Sequence, residues 1–457
     1  MNLFKISWLK RIAQSKWFPL LPQVAMLAVF CLLIWGGLGV STKDNAFAKI
    51  LRNTNLANLI VWSYWWPLII ITTIVIGRMW CTVCPMELLT AIASRIGLKR
   101  QAPSWFRSGW IITSFYVLIV LVGLHTIAIH RQPHRMSLYL LLLLVTSIIV
   151  SFIFEKRAFC SYVCPVGHLL GLYSLLSPFE WRADDLGMCQ ACKTKDCIAK
   201  KNHYRMVGRS CTSNLYPANI KDNRDCLLCT QCLKACPYKN LRFSLRKPGM
   251  DLYRHVEFTP AQMAFLFVVA GFVSYEILSE WSSSKAVLTW VPVKLGEILG
   301  MHGAIGSFMS ASVMFVLYPA VFLLGLYLLS LLLCKTSFRQ MSMRLSVLLI
   351  PTMAAAHVLK ALLKMVSRIP YWQYVFSDPR GISTATKLTN MNLSTPKALY
   401  LVHSYISIFL ILSAFVTMGL LLRKSMLFRS YNRKGKVVLF CGAMAYWGVF
   451  AVTIFLW

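Results

Sequence analysis

The sequence predicts an all-α polytopic membrane protein of about nine transmembrane helices, with a small cysteine-rich domain inserted on the cytoplasmic side between helices 4 and 5. Three observations lead there. The 457 residues are 57% hydrophobic and only 14% charged, with a mean hydropathy of +0.61, more apolar surface than a soluble core can hide. Apolar runs of membrane-spanning length recur along the chain, and eight cysteines crowd a polar island at 189–236. The expected division is 1–180, a four-helix membrane region; 181–258, the inserted domain; and 259–457, a five-helix membrane region.

Crossing a ~30 Å hydrocarbon layer takes about 20 helical residues. Runs that meet this lie near 19–40, 56–77, 109–130, 137–154, 260–279, 307–334, 342–366, 397–421 and 437–457. The first follows Lys5, Lys10, Arg11 and Lys16, but its length exceeds the ~7–15 residues of a signal-peptide core, so it is expected to stay as an anchor. The formal charge of +33 is unevenly placed: segments 1–18, 78–108, 155–259, 335–344 and 422–436 hold 35 of the 48 Lys and Arg. That alternation puts these segments, the N-terminus and the cysteine island in the cytoplasm of a bacterial cytoplasmic (inner) membrane, with Trp457 outside. Part of the basic excess is expected to face anionic lipid. No nucleic-acid motif accompanies it.

Within the island, Cys226-x2-Cys229-x2-Cys232-x3-Cys236-Pro237 has the spacing by which bacterial ferredoxins hold a [4Fe–4S] cube. In that arrangement three cysteines wrap one cube and the fourth reaches the partner cube. Cys226, Cys229 and Cys232 therefore take Cys211 as fourth ligand, while Cys189, Cys192 and Cys197 take Cys236. The first half departs from the pattern, since four residues separate Cys192 from Cys197. Structural zinc sites favour isolated CxxC pairs, and disulfides are rare in the cytoplasm, so a ferredoxin-like domain with two [4Fe–4S] clusters is the expectation. Its basic surface would suit an acidic redox partner.

Two hairpins end alike, at Arg78-Met79-Trp80-Cys81-Thr82-Val83-Cys84-Pro85 and at Arg157-Ala158-Phe159-Cys160-Ser161-Tyr162-Val163-Cys164-Pro165. The plan, Arg-x-aromatic-Cys and then Cys-Pro, is an internal repeat. Proline suits the first turn of a helix, whose positive end favours a thiolate. Cys81, Cys84, Cys160 and Cys164 are open to three readings: ligands of a further metal centre, a pair of redox dithiols, or packed thiols.

Paired Cys-Pro motifs after consecutive membrane hairpins, followed by a two-cluster domain, resemble the NapH and NosR family of membrane iron–sulfur (polyferredoxin) proteins, which has copper-handling, CcoG-like relatives. The resemblance covers residues 1–258. It implies passage of electrons from membrane quinol toward a redox system on the outer face. Cys81-x2-Cys84 is one residue shorter than the family's CxxxCP.

The five C-terminal spans lie beyond that resemblance. There His302, His357 and His403 fall at similar expected depths, with Lys360 and Lys364 at helical spacing from His357. Ionisable groups inside a membrane are costly, which makes these candidates for a quinone pocket or haem b ligands. Interhelical hydrogen bonding is the structural alternative. There is no phosphate-cradling glycine motif and no CxxCH for covalent haem.

The function expected is electron transfer between the quinone pool and other redox subunits of a respiratory complex, with this chain as a possible quinol dehydrogenase subunit. A metal reductase or metal-centre assembly factor, and an iron–sulfur sensor, are the competing readings.

Overall fold

In the computed structural model, residues 2–254, 256–389, 393, 395–429 and 431–454 are described. Trp457 and the end of the last expected span lie outside them. Eight helices are long and apolar enough to cross a membrane, by length and composition alone. In chain order the apolar helices are α1 (Leu20–Gly37), α2 (Leu56–Ile76), α3 (Trp110–Thr126), α4 (Pro133–Ile153), α5 (Pro260–Leu278), α6 (Gly303–Cys334), α7 (Phe338–Ser367), α8 (Lys397–Lys424) and α9 (Arg433–Ile454). The shortfall from nine is α3, which keeps helical form for 17 residues and winds as a π-helix over Ile119–Thr126. The ends of the longer expected run, Gly109 and residues 127–130, lie in bends and turns instead. A second π-helical turn, Val61–Trp65, interrupts α2.

By their contacts the residues fall into two units, each assembled from separated stretches. The first comprises Met1–Leu33, Ile69–Ile111 and Leu140–Leu252, and carries twelve of the cysteines named above. Its only described sheet is one antiparallel pair, β1 (Phe179–Ala183) and β2 (Leu241–Leu245), in the register Phe179↔Leu245, Trp181↔Phe243 and Ala183↔Leu241. These strands flank the cysteine island in sequence, so pairing them closes it into a loop-rich domain. Buried Trp181, Leu233, Leu241 and Ala13 make its small apolar core, with Phe4, Phe243, Cys226 and Cys232 against it. The base of the sheet is pinned by Arg246, whose guanidinium makes a two-pronged contact with Asp251 at 2.5 and 2.6 Å. Planar fork-to-carboxylate pairing of this kind fixes orientation as well as supplying energy.

The second unit comprises Ile34–Leu68, Ile112–Tyr139 and Tyr253–Trp457. α7 runs through its centre, buried from Leu345 through Ala361 at most positions, with α5, α8 and α9 packed on it. The run Ala354-Ala355-Ala356 lets neighbouring backbones come close, which is how helices without a hydrophobic drive between them associate in lipid.

Gly97 shows how tightly the first unit is closed. It ends the helix Pro85–Ile96 where the chain turns back beside α4, and Leu98 N–H donates to the Phe152 carbonyl at 2.7 Å. A Cβ at Gly97 would collide with the Phe152 carbonyl oxygen, a backbone atom. Gly97→Ala is expected to destabilise the fold by about 1–3 kcal/mol, the range for overpacking. Thermal unfolding in detergent should show a lowered midpoint, and an unchanged midpoint would contradict this packing.

Candidate functional site

The twelve cysteines gather into three sets of four, all in the first unit. Cys189, Cys192, Cys197 and Cys236 face one another: the other three thiolates each help push the Cys197 thiol up, on top of burial, to about 12. Cys211, Cys226, Cys229 and Cys232 form a second set, in which burial first, and the neighbouring thiolates after it, push Cys226 up to about 12. The structure thus brings Cys236 to the Cys189 set and Cys211 to the Cys226 set.

The repeat cysteines form the third set. Cys84 is raised by burial and then by Cys160, Cys81 and Cys164, so the two hairpins converge. Cys84 and Cys164 are the N-cap residues of the helices Pro85–Ile96 and Pro165–Tyr173, each with proline in the first turn. Gly167 N–H donates to Cys164 Sγ at 3.3 Å. Burial raises both thiols, while the backbone N–H groups at the helix starts, Met86 for Cys84 and Gly167 for Cys164, act the other way.

Each set has N–H donors aimed at sulfur. Trp181 Nε1 donates to Cys232 and Asn240 Nδ2 to Cys189, both at 3.3 Å, and Leu215 N–H donates to Cys211 at 3.4 Å. In the hairpins the repeated arginine does this work: Arg78 Nη2 lies 3.7 Å from Cys81 Sγ, and the Arg157 guanidinium lies near enough to Cys160 to oppose the rise that burial gives its thiol. Among the described residues no three Cys, His, Asp or Glu side chains are gathered tightly enough to hold a single metal ion. A four-iron cube is larger than one ion and holds its thiolates farther apart. Buried thiols in fours, mutually repelling as thiolates and furnished with N–H donors, fit such a cationic core.

Three charged side chains join the sets. Glu87, 1% exposed, lies between Arg157 Nε at 3.0 Å and Arg209 Nη2 at 2.8 Å. Arg157 precedes Cys160, Arg209 precedes Cys211 and Glu87 follows Cys84, so one carboxylate ties together three cysteine-bearing segments. Beside it, Arg78 Nη1 donates to the Arg224 carbonyl at 2.6 Å and Thr82 Oγ1 to the Leu227 carbonyl, seating the first hairpin on the loop that begins at Cys226. Sequence reasoning missed Glu87, Arg209 and Trp181. The two arginines were visible, since both hairpins place one three residues before the first cysteine.

The histidines of the second unit are engaged differently. His357 in α7 accepts from Trp66 Nε1 at 3.3 Å, just after the π-helical turn of α2. His403 in α8 is buried, with Nε2 3.1 Å from the Leu359 carbonyl of α7. His302 is the exposed N-cap of α6 and makes no side-chain capping bond. Lys360 contacts the Glu280 carboxylate and the Glu276 carbonyl, and Lys364 Nζ reaches Glu276 Oε2 at 2.8 Å. The carboxylates of this ion-pair group were not expected from sequence.

Removing one member of a buried charge pair strands the other, at a cost of about 3–5 kcal/mol. Glu87→Ala is therefore expected to lower the unfolding midpoint of the purified protein and to expose the 200–215 segment to trypsin. Wild-type protection of that segment would refute the tie.

A family model described as a 4Fe-4S binding domain matches residues 58–106 and 136–183. Each match contains most of the second helix of one hairpin with the Cys-Pro pair that follows it, and both end before Cys189. Among curated proteins, the chain is similar to the putative electron transport protein YccM of Escherichia coli, 25% identical over 242 residues, which are 45% of this chain and 63% of that one. The match thus spans less than two thirds of YccM. Two uncharacterized proteins of Methanocaldococcus jannaschii are also similar: MJ0749, 26% identical over 38% of this chain and 68% of its own, and MJ0750, 24% identical over 52% and 96%. No solved structure matches. The family match supports 4Fe–4S cluster binding by this chain.

Proposed function

We propose that this chain is a membrane electron-transfer protein that holds three [4Fe–4S] clusters and passes electrons between the quinone pool and other redox subunits of a respiratory complex. Cys189, Cys192, Cys197 and Cys236 would hold one cluster, Cys211, Cys226, Cys229 and Cys232 the second, and Cys81, Cys84, Cys160 and Cys164 the third. The observation that carries this reading is the convergence of the two hairpins, which makes the repeat cysteines a third tetrad fastened to the ferredoxin-like pair of tetrads. The family match over both Cys-Pro pairs and the electron-transport name of YccM support it.

When bound, such clusters supply one-electron redox chemistry. The residues around them set how easily that happens. Trp181, Asn240, Arg78 and Arg157 direct positive N–H groups at sulfur, which favours the more negative, reduced state and raises the potential. Burial of the hairpin set acts the other way, because added charge is less well solvated there. The Cys192 loop is the accessible end, flanked by exposed Gln190, Lys193, Thr194 and Lys195. A soluble or subunit-borne partner would meet the chain there. The membrane is taken as the bacterial cytoplasmic membrane, with the tetrads on the cytoplasmic side. For quinone, His357 beside Lys360 and Glu276 is the candidate relay, and His403 contributes by holding α8 on α7.

Two substitutions separate the tetrads. Cys229→Ser and Cys84→Ser are each expected to remove about four irons per chain and one of three reduced-state EPR signals, because an alkoxide replaces a soft thiolate poorly. Unchanged iron and signals for Cys84→Ser would reduce the proposal to two clusters. Orientation is checked with a membrane-impermeant thiol reagent, which should label Lys285→Cys from outside and leave Lys221→Cys untouched. Labelling of both from one side would overturn it. His357→Gln is expected to slow quinol-dependent cluster reduction at normal protein level, and a wild-type rate would remove His357 from the scheme.

A further inference from the structure

A cavity of about 150 Å³ opens in the first unit between the loop 101–107, the segment 155–162 that follows α4, and the loop 212–214. No role assigned above uses it. Its walls carry the cations of Arg107, Lys156 and Arg157 and the hydroxyls of Ser161, Tyr162 and Thr212, against the single carboxylate of Glu155. Arg157, 4% exposed, is fixed in place by Glu87 and by Ser213 Oγ at 3.2 Å. Lys156 holds a left-handed backbone conformation with φ of 60°, uncommon for a residue with a side chain, and its ammonium crosses to Asn214. Such strain tends to be kept where a side chain must be aimed. A quinone ring takes a mostly apolar pocket, whereas this one is lined chiefly by polar groups. Its charge and donors suit an oxyanion.

We propose that this cavity binds a phosphate group, carried either by an anionic phospholipid or by a free phosphate ester. Its place favours the lipid. Lys156 stands three residues beyond the end of α4 at Ile153, and Arg107 three before α3 begins at Trp110. Trp105 on the same loop and Trp110 at the start of α3 are 65% and 49% exposed, as interfacial anchors are. Basic side chains at this level attract the phosphates of anionic lipid. Bound there, the phosphate would bridge the 101–107 loop, the second hairpin and the Cys211 loop. Because Arg157 stands three residues before Cys160, the ligand would share a cation with the hairpin that carries it. The assignment needs no cluster and stands apart from the electron-transfer reading.

The test uses full-length, iron-loaded protein in mild detergent. Native mass spectrometry in added phosphatidylglycerol, with phosphatidylcholine as control, counts retained lipid, and titration calorimetry of delipidated protein measures inorganic phosphate. The double variant Arg107→Gln, Lys156→Gln is expected to weaken binding about tenfold or more, since a hydrogen bond to a charged group contributes about 1.5–3 kcal/mol and 1.4 kcal/mol is tenfold. Lys221→Gln, a change to an exposed lysine away from the cavity, should leave it unaltered. Arg107→Gln alone, at an exposed side chain, serves if the double variant fails to fold and should still weaken binding. Phosphatidylglycerol retention without phosphate binding assigns the site to lipid, and phosphate binding alone assigns it to a soluble ester. Binding of neither probe, or wild-type affinity in the variants, overturns the proposal.

Discussion

The buried carboxylate of Glu87 is the contact on which the cysteine-bearing unit depends. A lone charge at 1% exposure would cost several kcal/mol of lost hydration, and two arginines at 3.0 and 2.8 Å offset that cost only in this geometry. Each of the three groups comes from a different stretch, two or three residues from Cys84, Cys160 or Cys211. Satisfying one charge therefore sets the relative position of the two hairpins and the cysteine island. Pairs of this kind add little net stability over apolar packing, but they punish every alternative arrangement that separates them.

The same economy governs the thiols. Cysteine sets that are buried and turned toward each other are unfavourable as bare thiolates, as the raised Cys226, Cys197 and Cys160 show. A bound cationic core would relieve that repulsion, which would couple its assembly to folding of the small domain. The apolar core behind the strands is modest, built on Trp181, Leu233 and Leu241, and Trp181 serves it twice: the ring fills the core while its N–H meets Cys232. Packing and hydrogen bonding to that sulfur cannot be varied independently at this position.

The second unit solves a different problem. α7 carries Lys360 and Lys364 among apolar neighbours, and α5 supplies Glu276 one helix away. Charges in a membrane helix need partners that the helix itself cannot provide. The pairing locks α5 against α7 in rotation and depth, and His403, bonded to the Leu359 carbonyl, adds α8 to the same helix.

Local chemistry made much of this legible. Helix length against bilayer thickness marked the apolar spans, and cysteine spacing supplied the proposed fourfold sets, since loop geometry limits which thiols can reach a common centre. The repeated Arg-x-aromatic-Cys plan was equally plain in the residues. Sequence spacing carries no information about contacts between distant stretches, however, so the roles of Glu87, Arg209 and Glu276 stayed hidden. The convergence of Cys81 and Cys84 with Cys160 and Cys164 is likewise a matter of how two hairpins pack. The length of α3 was overestimated because hydropathy counts apolar residues and does not see where the backbone stops forming helix. Composition and spacing thus determined the membrane class and the crowding of cysteines into one polar island, which depend on local periodicity. Only tertiary structure decided which charges neutralise one another, because burial, which sets what an unpaired charge costs, belongs to the packed chain.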